Sequence, residues 1–189
     1  MEAFSAGTLA GAGSFHCEGC DFAIALHELD EVPACPNCGG RSFKRSSMFG
    51  ESVTRRAPAP EEPPDWLAEA HDALVEEGDY LAFEDDERLQ VVPLQDGWTR
   101  IGRSLSAHVR FDDPTVSRRH ALVYRDDSGA RILDDRSLNG VFRNGSRVEL
   151  EELTNGDEIH IGRFRLFFMS LSGEGDGDRT PEGVGSAVG

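Results

Sequence analysis

GRSLSAHVRFDDPTVSRRHALVYRDDSGARILDDRSLNG, residues 102–140, sets three polar clusters between short apolar runs: Gly102-Arg103-Ser104, Ser117-Arg118-Arg119-His120 and Ser137-Leu138-Asn139-Gly140. The chemistry of these clusters is that of a site that holds phosphate and peptide backbone. An arginine fork donates paired, charge-assisted hydrogen bonds to phosphate, and a serine hydroxyl adds a donor. An asparagine amide both donates to and accepts from a main chain. No nucleophile with a matching base, phosphate loop or open metal position accompanies them, so the residues point to binding and not to catalysis.

Around this stretch, from Tyr80 onward, short apolar runs recur every eight to twelve residues with turn signals between them. That is the pattern of a β-sandwich. Strands are expected near Tyr80–Phe83, Leu89–Leu94, Trp98–Ile101, His108–Phe111, Ala121–Arg125, Ala130–Asp134, Val141–Arg143, Val148–Glu149, Glu158–Ile161 and Arg163–Leu171. Asp127-Ser128-Gly129 and Asn144-Gly145 are hairpin turns.

The order GR, SRRH, SxNG, together with Trp98-Thr99-Arg100-Ile101, Asn144-Gly145 and the closing Asn155-Gly156-Asp157-Glu158-Ile159-His160-Ile161-Gly162, resembles the forkhead-associated (FHA) domain. The resemblance spans 79–171, about half the chain. It implies a sandwich that binds phosphothreonine peptides at its loop end, without enzymatic activity. By resemblance Arg103 and Ser117 contact the phosphate, Arg118 is the second cation and Asn139 holds the peptide main chain. Leu138 stands where many members carry Thr, so it offers its backbone but no hydroxyl, and Val141 likewise replaces a common Thr. His120 braces the loops from within, while Gly102 and Gly140 permit backbone geometry that a side chain would prevent. The phosphothreonine then comes from a partner protein modified by a Ser/Thr kinase, or from the chain's own N-terminal region. Some bacterial FHA regulators of this type dock a phosphorylated N-terminal threonine into their own FHA site. Thr54 is the candidate here, on a tether of about 25 residues with a span of roughly 25 to 30 Å.

The four cysteines form two CxxC pairs, Cys17/Cys20 and Cys35/Cys38, separated by fourteen residues. Two such turns aim four thiolates at one tetrahedral point, and four ligands leave no open position, so the site is structural. The segment resembles a zinc ribbon over 15–46 holding one Zn²⁺, with a rubredoxin-like iron site as the alternative metal. Too few apolar residues lie there to fold unaided, so metal binding supplies the folding free energy. Arg41, Lys44, Arg45, Arg55 and Arg56, interleaved with Phe43 and Phe49, read first as a solvated tail to the ribbon, given the acidic remainder, and second as a small patch for nucleic acid or an acidic partner. A transcription- or nucleic-acid-associated ribbon regulated through the FHA domain is thus the alternative function.

The net charge of −16 opposes broad nucleic-acid affinity. Much of the excess sits in 58–78, with seven acidic residues and no basic one. No apolar run suits a membrane span or a signal peptide, which implies a cytoplasmic location and no membrane partner. The expected fold class is mainly β: an FHA-like antiparallel β-sandwich of about ten to eleven strands, preceded by a four-Cys zinc ribbon and a short linker helix. The expected organisation is a disordered 1–14, the ribbon 15–46, a linker 47–78 with helix 65–77 capped by Asp65, the FHA domain 79–171 and a disordered acidic tail 172–189.

Overall fold

A computed structural model describes residues 3–46 and 62–171. The N-terminal unit is a four-stranded antiparallel sheet of β1 (Ala3–Ser5), β2 (Gly13–Cys17), β3 (Ala23–Leu26) and β4 (Ser42–Arg45), in the order β1-β4-β2-β3. Apolar residues alternate along β2 and β3, so that Phe15, Cys17, Ile24 and Leu26 turn inward to meet Phe22, Val32, Cys35 and Phe43. The unit begins earlier than the expected residue 15. Residues 3–14, expected to be disordered, instead carry β1 and the start of β2, with Phe4 paired opposite Phe43. Phe4 also meets Phe15 edge-on at 5.2 Å, and the Arg45 guanidinium lies over both rings. These are long-range contacts of a stretch without periodicity, which is why local sequence did not reveal the strand.

Helix α1 (Trp66–Asp72) follows, then eleven strands: β5 (Gly78–Asp85), β6 (Arg88–Pro93), β7 (Gly97–Gly102), β8 (Val109–Arg110), β9 (Ala121–Asp126), β10 (Gly129–Asp134), β11 (Val141–Arg143), β12 (Ser146–Val148), β13 (Leu150–Leu153), β14 (Glu158–Ile161) and β15 (Phe164–Leu171). They form a five-stranded sheet, β13-β10-β9-β7-β8, and a six-stranded sheet, β12-β11-β14-β15-β5-β6. Every pairing is antiparallel except β7 with β8. The expected strand at Val148–Glu149 is displaced, with Val148 ending β12 and Glu149 separating it from the additional β13. Nineteen buried apolar side chains, Leu81 to Phe168, fill the space between the sheets. None comes from the N-terminal unit, so the sandwich has a core of its own.

Asn144 and Gly145 both have positive φ, at 48° and 77°, as a two-residue type I′ hairpin requires. Asp86 and Glu87 make the β5–β6 turn with similar angles, 48° and 59°, although neither is glycine.

The helix packs on the sandwich. β5 and β15 are apolar on both faces: Leu81, Phe83, Leu166 and Phe168 face the core, whereas Ala82 and Met169 face Ala70 of α1. Trp66 meets Phe167 edge-on at 5.6 Å. The helix ends at Asp72 and not at residue 77. Beyond it Val75 is 90% exposed, and Glu76 and Glu77 would place negative charge at the helix C-terminus, where the macrodipole opposes it. Asp65 does not cap through its side chain, because its backbone is already helical. Thr54, Arg55, Arg56, Phe49 and the expected acidic tail lie outside the described residues.

Candidate functional site

Two loops are locked together by one histidine. His120, fully buried, accepts at Nδ1 from the Ser117 N–H at 3.0 Å. Its remaining proton therefore sits on Nε2, which faces the Gly140 carbonyl at 3.3 Å. The Ser117 hydroxyl in turn accepts from the Leu138 N–H at 3.0 Å and keeps its own proton to donate. Arg103 is attached to the same unit through its N–H to Ser117 O, at 2.9 Å. At Gly102 a Cβ would stand 2.4 Å from Arg118 O, so only glycine lets these segments approach. Gly140 has φ +81°, in the left-handed region.

A third segment, Asp113-Pro114-Thr115, completes the loop end. The Asp113 carboxylate accepts from the Thr115 N–H, the Thr115 hydroxyl and Arg163 Nε. Thr115 O accepts from Asn139 Nδ2 at 2.9 Å. Sequence reasoning did not single out these residues. The DDPT run reads as an ordinary turn, and its role depends on Asn139 and Arg163, distant in the chain.

Of the arginines, Arg118 is exposed and makes no ion pair among the described residues. Arg119 is committed elsewhere, clamping Asp135 with two bonds of 2.7 Å. Arg103 is half-buried; burial lowers its pKa, while the Asp30 and Asp112 carboxylates pull the other way. Its Nε is buried and has no partner among the described residues. Leu138 is 41% exposed, and its backbone N–H is spent on the Ser117 hydroxyl. Val141 is fully buried in the sandwich core, where a methyl in place of a hydroxyl suits the surroundings.

The loop end is not open to solvent at Asn139, which is 2% exposed. Asn139 Oδ1 accepts from the Ala23 N–H at 3.0 Å, and its Nδ2 donates to Ala23 O at 2.8 Å. Arg103 Nη1 donates to Ala25 O at 2.8 Å, and the Ala25 N–H donates to Pro114 O at 2.7 Å. The two units, expected to be separate modules, thus meet at the loops of interest.

The four cysteine sulfurs lie within 4.8 Å of one another, with Cys17 to Cys38 at 3.6 Å and Cys20 to Cys35 at 3.5 Å. A tetrahedral site with Zn–S bonds of about 2.3 Å has sulfur–sulfur edges of about 3.8 Å, so the cluster fits such an ion. Both pairs sit on tight turns, closed by Asp21 N–H to Cys17 O and by Gly39 N–H to Cys35 O. A Cβ at Gly40 would stand 3.0 Å from Cys17 Sγ, so the Cys-Gly-Gly turn leaves room for sulfur alone. The expected basic patch is reduced: Phe43 is buried, and Arg45 bonds the carbonyls of Ala10 and Ala12. Among the described residues, no helix is long and apolar enough to cross a membrane.

Sheet topology, loop bonding and the cysteine cluster define an FHA β-sandwich preceded by a four-cysteine ribbon. Residues 99–162 match the family model of the FHA domain, and residues 1–47 that of a zinc-ribbon containing domain. The chain is an FHA domain protein with an N-terminal zinc-ribbon domain. It is similar to the glycogen accumulation regulator GarA of Mycobacterium tuberculosis, 39% identical over 85 residues that make up 45% of this chain and 52% of GarA. It is also similar to the oxoglutarate dehydrogenase inhibitor of Corynebacterium diphtheriae, 44% identical over 71 residues, 38% of this chain and 50% of the relative. The chain spans about half the length of these curated relatives, whose names are those of regulators and not of enzymes. A solved structure from a structural and functional analysis of phosphothreonine-dependent FHA domain interactions aligns with TM-score 0.46 and 30% identity, over 50% of this chain and 97% of that one.

Proposed function

We propose that the chain is a non-enzymatic phosphothreonine-peptide-binding regulator. Arg103, Ser117 and Arg118 hold the phosphate, while Asn139 and the Leu138 backbone hold the peptide. A phosphothreonine brings a charge of roughly −1.5 to −2 and three acceptor oxygens, a match for one half-buried arginine, one exposed arginine and a hydroxyl with a proton to donate. The observation that carries the reading is the bonding of Asn139. Its amide grips one residue of an extended strand through both N–H and C=O, which is what sequence-tolerant reading of a peptide main chain needs.

The phosphate is supplied by a Ser/Thr kinase acting on a partner or on the chain's own N-terminal region, in the cytoplasm. Cys17, Cys20, Cys35 and Cys38 hold one structural Zn²⁺, and the ribbon is a second interaction module. The names of the relatives, regulators and an inhibitor, agree with such a role.

Calorimetric titration with a phosphothreonine peptide library, beside phosphoserine and unphosphorylated versions, tests the reading. Heat of binding confined to the phosphothreonine set is the expected result. Equal binding of the unphosphorylated set would refute it.

A further inference from the structure

In the ribbon sheet β3 is an edge strand, and a sheet edge presents a row of N–H and C=O groups without partners in its own sheet. On the outer edge of β3 those groups belong to Ala23 and Ala25, and all four are bonded by the FHA loops. Asn139 takes the N–H and C=O of Ala23, Pro114 O takes the N–H of Ala25, and Arg103 takes the C=O of Ala25. Asn139 and Arg103 are the same side chains to which the phosphopeptide reading assigns the ligand. One asparagine amide cannot grip two main chains at once, so strand and peptide compete for it.

The strand carries no phosphate. Phe22-Ala23-Ile24-Ala25-Leu26 contains no Ser, Thr or Tyr, so its docking is independent of phosphorylation. Negative charge comes instead from Asp30, just beyond the strand, which is the leading carboxylate acting on Arg103. Asp30 is held by accepting from the His27 N–H at 2.7 Å. Leu26, His27, Asp30, Pro33, Arg103 and Pro114 line one cleft at this junction.

Resting on the phosphopeptide reading above, we propose that β3 of the ribbon is an internal pseudo-ligand that closes the FHA peptide track, so that phosphopeptide binding requires its displacement. The cysteine cluster sets how readily this happens. Phe22, Ile24 and Leu26 pack in one small core with Cys17 and Cys35, so the ion that holds the cysteines also holds β3 in shape. Loss of the metal frees the track.

The test uses the full chain and a fluorescent phosphothreonine peptide library, read by anisotropy. Zinc-loaded wild type is compared with the same protein after chelation and with Ala25→Pro. Proline removes the N–H that reaches Pro114 O, a group pointing away from β2, and an edge strand tolerates this. Both opened forms are expected to bind at least about tenfold tighter than zinc-loaded wild type, since removing a competing closed state removes its population penalty. Hydrogen exchange supplies the second readout: the amides of Ala23 and Ala25 are protected in the free zinc protein and lose protection when peptide binds. Equal affinity in all three forms, with those amides still protected under saturating peptide, overturns the inference and leaves the phosphopeptide reading standing. Should Ala25→Pro fail to retain its zinc, the chelation and exchange arms decide. Absence of phosphothreonine-selective binding in every form overturns the phosphopeptide reading and the inference with it.

Discussion

The ribbon and the sandwich are both small β structures, but they are held together by different means. Nineteen buried apolar side chains fill the sandwich, none of them shared with the ribbon. The ribbon has nine, two of which are the cysteines Cys17 and Cys35. A core that small does not offset the conformational entropy of about forty ordered residues, and a metal ion held by the four cysteines would make up the difference. What the contrast teaches is that the sandwich has a core large enough to be a fixed platform, whereas the ribbon would need its metal to hold its shape, so the contact between them would join a conditional element to a permanent one.

Cys35→Ser is expected to have the largest effect. Loss of one ligand should abolish stoichiometric zinc and unfold the ribbon, while a separate cooperative unfolding transition of the sandwich persists. Metal analysis and calorimetric melting check this, and a single transition lost in both units would show that the two cores are not independent.

Arg103→Ala comes next. Removing a charge-assisted donor of about 1.5 to 3 kcal/mol should weaken phosphothreonine binding roughly tenfold to over a hundredfold. The sandwich melting temperature should hardly move, since the side chain lies outside the core. Unchanged affinity by calorimetry would mean that the phosphate site lies elsewhere.

Asp157 provides a test within the sandwich alone. It is buried, which by itself raises a carboxyl pKa, but bonds from Arg143, Asn144 and Thr154 bring it below its ordinary value. A depressed folded-state pKa contributes stability that is present above the unfolded value of about 3.9 and is lost as the pH falls through the folded one. Asp157→Asn should therefore lower the urea midpoint at pH 7 and flatten its fall toward pH 3. An unchanged acid limb would remove Asp157 from the cause.

The smallest effect is expected at the β5–β6 turn. Glu87 holds φ at 59°, a conformation that costs an L-residue about 1 kcal/mol and costs glycine almost nothing. Glu87→Gly should raise sandwich stability by about 0.5 to 1 kcal/mol, read from denaturant melts, and leave zinc affinity unchanged.

Legibility in the sequence followed the range of the interactions. The CxxC pairs are local devices, and the GR, SRRH and SxNG clusters come from turns between strands of period two, so their grouping was readable. Gly102 and Gly140 were readable as backbone requirements for the same reason. Strand β1 was not, because three residues without pattern become a strand only by pairing with Ser42–Lys44. Nor was the role of Thr115, which is defined by Asn139, 24 residues away.

By itself, the sequence determined the four-cysteine cluster, the apolar core and the chemistry of the loop residues, since residue type and spacing dictate all three. Only the tertiary structure decided that Asn139 and Arg103 spend their bonds on Ala23 and Ala25. The run Phe22 to Leu26, which contains β3, shows its alternation of large and small apolar residues in sequence, but its outer edge consists of backbone groups that every residue carries. Which surface satisfies such an edge depends on where the folded units meet, and no local pattern encodes that.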